Sequence, residues 1–390
     1  MRIRRIIYSC ISFILMISII LGRSFVSKAE IEVSAPSVIL IERSTGTVIY
    51  EKNGQERRSP ASITKIMTLL VTFDQISAGK ADLSEEVIVS EHAASMGGSQ
   101  VYLAQGEVQT LDTMIKCIVV SSGNDASVAV AEHLAGSEEA FVKMMNDRAA
   151  SLGMTGTHFV DCCGLSDDDE HYTTARDVAI MSRELITAYP QVLEYSKIWM
   201  EDITHVTRQG SSKFTLSSTN KLLKRYQYCT GLKTGSTQKA KYCIAATASR
   251  DGIDLIAVVM GAPDPKTRFN EAQMLLTYGY GCCKLYTDRE PPELAALPVR
   301  NGIEKEITLE YDGSFTYLDL ESLSFDEIEK KLELPEYLEA PVAAGDVAGY
   351  LVYSYHGAEL GRLPVLCKNS VKKAGYGDYL HYCLSNLLLP

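Results

Sequence analysis

The segment from Ser59 to Met67 (Ser-Pro-Ala-Ser-Ile-Thr-Lys-Ile-Met) constrains this chain most, because it combines a helix start with two reactive side chains. Ser59 can cap a helix, and Pro60 suits the first helical position, where no N–H bond is lost. Apolar residues then recur up to Phe73 at the spacing of a buried helix. Ser62 and Lys65 are three residues apart, so their side chains meet on one helical turn.

This pairing predicts an activated serine nucleophile. Partial burial of Lys65 would lower the pKa of its amine and favour the neutral form, which can take a proton from Ser62. The positive end of the helix dipole also favours negative charge that develops nearby. The same Ser-x-x-Lys spacing recurs at Ser77, Ser218, Ser236 and Ser370. Because such a short motif also arises by chance, other motifs must select Ser62.

Two further motifs make that selection. Ser122-Gly-Asn124 falls on a predicted loop between helices, and Lys233-Thr-Gly235 begins a predicted core strand. Ser218-Thr-Asn220 repeats the second pattern, whereas the third occurs once. Serine β-lactamases and penicillin-binding proteins carry a trio of this kind in this order. Among the Ser-x-x-Lys serines, only Ser62 has both a predicted helix start and the other two motifs after it.

The chain resembles the low-molecular-mass penicillin-binding proteins, specifically the serine D-alanyl-D-alanine carboxypeptidases, over about residues 35–372. The similarity extends beyond the trio to residues 59–68, Thr157–Phe159, Gly164-Leu165, Tyr172–Asp177, Gly231–Thr237 and Arg268–Gly279. It implies an α/β transpeptidase fold, in which a central antiparallel sheet has helices on both faces and an all-helical lobe. A small C-terminal all-β domain would follow.

The resemblance also implies roles for individual residues. Ser62 would be the acylated nucleophile, Lys65 its general base and Ser122 a proton relay to the leaving group. The backbone N–H groups of Ser62 and Ser236 would form the oxyanion hole. The remaining substrate contacts would come from Asn124 (the substrate amide), Lys233 (the proton network), Gly235 of the same motif, and Thr234 with Arg268 (the terminal carboxylate). Neither a cofactor nor a metal is implied.

The activity implied is removal of the last D-alanine from peptidoglycan pentapeptides, with β-lactams as covalent inhibitors that trap Ser62. Two alternatives stay open: a D,D-endopeptidase that uses the same residues, and a catalytically idle wall-binding protein. Some family members carry His where this chain has Ser236 and Cys163, which leaves the deacylation rate open. Residues 162–172 include Glu170 but no evident deacylation base, so β-lactamase activity is not expected.

The N-terminus predicts export. Arg2, Arg4 and Arg5 precede an apolar run to Leu21, and small residues around Ala29 favour cleavage of a signal peptide, residues 1–29. An uncleaved anchor is the alternative, but the apolar run is short and contains several serines. The chain carries a net charge of −11, which argues against nucleic-acid binding because that requires a basic face.

Composition divides the rest of the chain into a carboxypeptidase domain (residues 30–291), a C-terminal β-rich domain (292–372) and a short apolar tail (373–390). The tail is either a membrane-surface helix, giving peripheral membrane contact, or packs on the β domain. The ten cysteines show no repeated spacing, so we expect no disulfide framework. Cys162-Cys163 fits no common zinc pattern.

Overall fold

A computed structural model of the chain describes residues 31–207, 210–380 and 384. These residues divide into a short unit that ends at Val33 and a large compact unit that begins at Ser34. The predicted signal peptide, residues 1–29, lies outside the described residues, as do Cys10 and Cys383.

The first 290 residues contain most of the helices. The strands there are β1 (Ser37–Glu42), β2 (Val48–Lys52), β3 (Glu86–Ile88), β4 (Val108–Thr110), β5 (Met200–Thr207), β6 (Gly210–Ser217), β7 (Cys229–Thr237), β8 (Lys241–Arg250), β9 (Ile253–Ala262) and β10 (Lys284–Thr287). The helices are α1 (Lys65–Ser77), α2 (Glu91–Ala94), α3 (Leu111–Val120), α4 (Asn124–Ala135), α5 (Glu138–Ser151), α6 (Ala175–Ala188), α7 (Val192–Ser196), α8 (Leu222–Arg225) and α9 (Pro265–Cys282). A 3-10 helix, Ala61–Thr64, leads into α1.

A five-stranded antiparallel sheet in the order β2-β1-β9-β8-β7 forms the centre of the large unit. The near-continuous apolar runs of β8 and β9 predict central strands, and this prediction is confirmed. Helix α9 packs on Leu40 and Leu255, whereas α6 lies beside Ile39 and Ile41. Since successive strand residues point to opposite faces, the two helices cover opposite faces of the sheet.

Helix α1 is the buried axis of an adjoining helical lobe. Every residue from Lys65 to Phe73 is buried, as the apolar pattern predicts, and α4, α5 and α6 contact the helix. The start of this element differs from the prediction, however. Ser59 does not cap it: Pro60 occupies the cap position of the 3-10 helix, with no side-chain cap. The predicted fold class, a transpeptidase-like α/β domain with a helical lobe, is confirmed.

Other local predictions have mixed outcomes. The apolar run Leu111–Val120 predicts a helix and Thr174 predicts a helix cap, and both are confirmed, as α3 and as the cap of α6. Residues 153–172 lack periodicity and contain several glycines, which predicts a surface loop; this prediction is wrong for Cys162, Cys163 and His171, which are buried. The prediction that Lys233-Thr-Gly235 begins a core strand is also wrong, because these residues lie in the second half of β7, at the edge of the sheet.

The C-terminal part is built of short strands, as its alternating pattern predicts. These are β11 (Leu297–Arg300), β12 (Glu306–Ile307), β13 (Leu309–Tyr311), β14 (Thr316–Asp319), β15 (Ile328–Glu333), β16 (Leu338–Glu339), β17 (Val347–Tyr355) and β18 (Ala358–Cys367). Two small apolar clusters hold them together, one around Val299 and one around Tyr353. In the tail, residues 376–380 are helical. Across the described ranges, no helix is long and apolar enough to cross a membrane.

Candidate active site

Ser62 lies where three segments of backbone meet. The residue before it, Ala61, has a φ of +48°, a backbone conformation that residues other than glycine rarely adopt. A Cβ atom at Gly164 would overlap the carbonyl oxygen of Ala61, and one at Gly235 would lie 3.0 Å from the backbone nitrogen of Ser62. Glycine at these two positions therefore lets the 162–172 loop and β7 close on the turn that presents Ser62.

The amine of Lys65 is fully buried beside this serine. Its Nζ donates to the side-chain oxygen of Asn124 and to the carbonyl oxygen of Cys163, each at 2.6 Å, and lies 3.1 Å from Ser62 Oγ. Burial lowers the pKa of Lys65, against the opposing effect of nearby Cys and Asp side chains. A neutral amine has two N–H bonds and one lone pair. The two carbonyl oxygens use the N–H bonds, so the lone pair remains for the Ser62 hydroxyl.

A second buried amine lies opposite the first. Lys233 on β7 is 1% exposed, and its Nζ donates to Ser122 Oγ at 2.7 Å and to the carbonyl oxygen of Thr234 at 2.9 Å. Burial, followed by the charges of Lys65 and Arg268, lowers the pKa of Lys233 well below its usual value. Because Ser122 Oγ accepts this hydrogen bond, its own proton is available to another group.

Both polar atoms of the Asn124 side-chain amide are hydrogen-bonded. Its Oδ1 accepts from Lys65, and its Nδ2 donates to the carbonyl oxygen of Gly97 at 2.7 Å. Its backbone N–H donates to the carbonyl oxygen of Ser99, also at 2.7 Å. Ser122 has a φ of +61°, so the turn before α4 is strained and is supported by these contacts. The segment 97–99 thus fixes Asn124 beside Lys65.

The predicted carboxylate-binding residues lie further along β7. Thr234 Oγ1 donates to Thr219 Oγ1 at 2.8 Å, and Ser236 is exposed at the end of the strand. Arg268 is 7% exposed, and its Nη1 donates to the carbonyl oxygens of Gly235 and Cys243 at 3.1 and 3.3 Å. Arg268 therefore supports β7 from behind, and burial lowers its pKa.

Two site features are absent from the sequence predictions. The carbonyl group of Cys163 orients the Lys65 amine, and a backbone acceptor carries no sequence signature. The second feature is a buried chain of hydrogen bonds behind Ser62. Thr64 Oγ1 donates to Ala61 O and lies 2.9 Å from His171 Nε2, while His171 Nδ1 accepts from the Val160 N–H. These partners assign the Nε2–H tautomer to His171, and burial lowers its pKa.

The described cysteines are not grouped as metal ligands would be. Among the described residues, no group of His, Cys, Asp or Glu side chains is placed to hold a metal ion, the pair Cys162-Cys163 included. The eight described cysteines are free thiols, and burial raises the pKa of Cys162 well above its usual value. Both thiols lie in the helical-lobe core and act as small apolar residues.

Comparison with known proteins agrees with this geometry. Residues 24–264 match the family model of D-alanyl-D-alanine carboxypeptidases, and residues 284–373 match that of the C-terminal domain of penicillin-binding protein 5. D-alanyl-D-alanine carboxypeptidase DacF of Bacillus subtilis is 39% identical over 90% of this chain and 90% of its own length. DacC of Escherichia coli is 32% identical over 89% of this chain and 88% of its own length.

Solved structures give the same result. Penicillin-binding protein 5 from Haemophilus influenzae matches 88% of this chain and 99% of its own with a TM-score of 0.75, at 28% identity. Penicillin-binding protein 6B from Escherichia coli matches 87% of this chain with a TM-score of 0.70, at 26% identity. The chain therefore belongs to the D-alanyl-D-alanine carboxypeptidase family: it is a serine-type, low-molecular-mass penicillin-binding protein that acts in peptidoglycan metabolism.

Proposed function

We propose that this enzyme removes the terminal D-alanine of peptidoglycan pentapeptides through an acyl-enzyme on Ser62. The Ser62 proton passes to Lys65 as Oγ bonds to the carbonyl carbon of the penultimate D-alanine. The C–N bond then breaks as Ser122 gives its proton to the departing amine and takes the proton held by Lys65. Water later cleaves the ester: its oxygen bonds to the acyl carbon, the shortened peptide leaves as the acid, and Ser62 Oγ regains a proton. The single observation that carries this proposal is the buried Lys65 amine, whose Nζ lies 2.6 Å from two carbonyl oxygens and 3.1 Å from Ser62 Oγ. In its neutral form this amine would donate to the two carbonyl oxygens and direct its lone pair at the Ser62 hydroxyl.

The substrate contacts in this proposal follow the chemistry of the bound peptide. The free carboxylate of the last D-alanine would meet Thr234, with Arg268 contributing positive charge from behind β7. Asn124 would hold the substrate amide, and Lys233 would keep Ser122 in the proton path. The oxyanion would bind to the backbone N–H groups of Ser62 and Ser236, whose approach Gly235 permits. A β-lactam would follow the same path and stay bonded to Ser62.

The setting of the reaction is part of the proposal. The predicted signal peptide, cleaved after residue 29, would export a protein whose residues 30–291 catalyse the reaction and whose residues 292–372 form a separate β-rich domain. Tyr376, Tyr379 and Leu380 are exposed in the tail, which supports a peripheral contact with the outer face of the cytoplasmic membrane. The acidic composition supports the absence of nucleic-acid binding.

The test is release of D-alanine from a synthetic pentapeptide and labelling by a fluorescent penicillin. Ser62→Ala should abolish both, with a loss on the order of 10⁴-fold or more. Ser77→Ala is the matched control, since Ser77 has the same spacing to a lysine but lies exposed at the end of α1, and it should leave both activities unchanged. Cleavage of a cross-linked dimer without pentapeptide trimming would favour the endopeptidase alternative. Release that survives in Ser62→Ala would refute the proposed nucleophile.

A further inference from the structure

Tyr102 is held in a strained conformation at the surface. Its φ is +63°, and its side chain is 71% exposed. Among the described residues other than glycine with a positive φ, it is the only tyrosine; most of the others are small or polar residues typical of turns. Two of them, Ala61 and Ser122, belong to the catalytic machinery. Strain of this kind persists where surrounding structure enforces it, and it concentrates at functional sites.

The structure shows what enforces the strain. The N–H groups on both sides of Tyr102, those of Val101 and Leu103, donate to the same carboxylate oxygen of buried Asp125, at 3.0 and 3.1 Å. Val101 and Leu103 are themselves buried. The chain is therefore anchored before and after Tyr102, and the ring is turned outward instead of joining the core.

The Tyr102 ring contacts a second aromatic ring. It makes an edge-to-face contact with Phe214 of β6, with 6.0 Å between ring centroids. Tyr102 lies three residues after Ser99, whose carbonyl oxygen binds the Asn124 backbone. Phe214 lies three residues before Ser217, whose N–H donates to Ser121 Oγ at 3.1 Å. The backbones of Tyr102 and Phe214 are thus each at most about 11 Å along the chain from a residue that hydrogen-bonds to Asn124 or Ser121, which flank Ser122 and Gly123.

We propose that Tyr102 and Phe214 form an aromatic contact surface for the part of the acyl donor that extends beyond the reacting D-Ala-D-Ala end. This inference rests on the proposed function. An exposed aromatic face suits a surface rich in C–H groups, which both the peptide stem and its attached sugar present. The contact would be equally strong with the bound substrate and with its transition state. Its loss should therefore raise KM more than it lowers kcat.

The experiment compares three substrates that end in D-Ala-D-Ala: an acetylated tripeptide, a stem pentapeptide and a disaccharide pentapeptide. Tyr102→Gly should lower kcat/KM about three- to tenfold for the longer substrates and leave the tripeptide unchanged. Tyr102→Phe keeps the ring and should behave as wild type. If kcat/KM already falls with the pentapeptide, the contact is with the peptide stem. If kcat/KM falls only with the disaccharide pentapeptide, the contact is with the sugar.

A stability measurement separates strain from binding. Because glycine tolerates a positive φ and alanine does not, Tyr102→Gly should unfold at a higher temperature than Tyr102→Ala, while both variants weaken turnover of long substrates. Ser322→Gly and Ser322→Ala are the controls: Ser322 has a φ of +64° and is exposed in the C-terminal part, so these two variants should differ in unfolding midpoint in the same sense with no kinetic change. Equal losses on all three substrates, or no loss on any, would overturn the inference. A wild-type protein that releases no D-alanine would instead refute the proposed function.

Discussion

At the scale of single residues, two buried amines define the site. Lys65 and Lys233 are both almost completely removed from solvent, and burial makes their charged forms costly. Their polar partners are oxygen atoms of uncharged groups: side-chain or backbone carbonyls and serine hydroxyls. An uncharged partner stabilises an ammonium less than a carboxylate would, so burial lowers the pKa of both amines and favours the neutral form, which can accept a proton.

The first prediction concerns the pH dependence of acylation. Since the pKa of Lys65 is lowered from 10.5, the second-order rate of penicillin acylation should rise with pH through that lowered value. The free energy of unfolding should also rise with pH between the lowered pKa of folded Lys65 and 10.5, because in that range the unfolded lysine binds more protons than the folded one. Lys65→Arg, which cannot deprotonate, should lose about 10²- to 10⁴-fold in acylation rate and its pH dependence.

Lys80→Arg is the control for that experiment. Lys80 also lies three residues after a serine, but it is exposed beyond the end of α1, and its variant should keep the wild-type profile. An unchanged acylation profile in Lys65→Arg would mean that another group accepts the Ser62 proton.

The second prediction concerns the hydrogen bonds behind the nucleophile. Thr64→Val should destabilise the protein by about 1–3 kcal/mol, because the buried Nε2–H of His171 loses its acceptor and Ala61 O loses its donor. Thr64→Ser keeps the hydroxyl and should recover most of this loss. Urea unfolding and penicillin acylation, measured on the same samples, check both. If Thr64→Val matched Thr64→Ser in stability and rate, the chain Thr64–His171 would have no role in holding the strained turn.

At the scale of elements, the site exists where a 3-10 helix, a loop and an edge strand touch. Because Gly164 in the loop and Gly235 on β7 have no side chain, both segments can pack against the backbone of residues 60–63. Ser62 is therefore placed by backbone contacts as much as by its own helical turn. The third prediction follows from this arrangement.

Gly164→Ala should reduce both stability and acylation rate, because its new Cβ atom would overlap Ala61 O and displace the turn that carries Ser62. Gly153→Ala is a matched control: its φ of +72° is close to the +78° of Gly164, but its added Cβ would meet open space. The control should lose only the stability that a side chain costs at a positive φ, about 1–2 kcal/mol, and should keep its acylation rate. Similar acylation rates in the two variants would show that the loop does not position Ser62.

The elements also show what the sequence can and cannot predict. Helix α3 and the Thr174 cap follow from local apolar spacing and a local hydrogen bond, and both predictions are confirmed. Ser59 fails as a cap because Pro60 holds the cap position in a helical conformation, in a turn whose backbone packs against Gly164 of the loop and Gly235 of β7. The hairpin of β5 and β6 is missing from the sequence predictions, since most of β6 is exposed and its alternation is weak. The motif residues could be identified from order and resemblance, whereas the Cys163 carbonyl could not.

At the scale of the whole molecule, the apolar cores are separate. The cluster around α1 joins the sheet to the helical lobe, whereas the described members of the clusters around Val299 and Tyr353 all lie between β10 and Val371 along the chain. Tyr353 stacks on Phe315, and its hydroxyl donates to Asp288, a carboxylate that also accepts from Lys330. These contacts hold the pKa of Asp288 below its usual value, against the opposing effect of burial.

The fourth prediction tests whether the cores are independent. Tyr353→Phe should remove one hydrogen bond from the Asp288 carboxylate and destabilise the C-terminal strands by about 1–3 kcal/mol. Penicillin acylation should stay at the wild-type rate, because Ser62 belongs to the other core. Tyr350→Phe, at a partly exposed position on the same strand, should change neither quantity. Calorimetry combined with acylation kinetics gives the comparison, and a parallel loss of acylation in Tyr353→Phe would show that the cores are coupled.

The strand order of the central sheet has a consequence for how the protein is made. Strand β1 ends at Glu42 but pairs with β9, which is complete only at Ala262, so more than half of the chain must emerge before the sheet can close. Pairings between such distant segments form slowly, and a nascent chain cannot make them early. Ser62 is placed by β7, which joins the same sheet through β8, so an incomplete chain would have no assembled active site. For the proposed export, a chain that cannot close its sheet early would still be in the unfolded form that passage through a membrane channel requires.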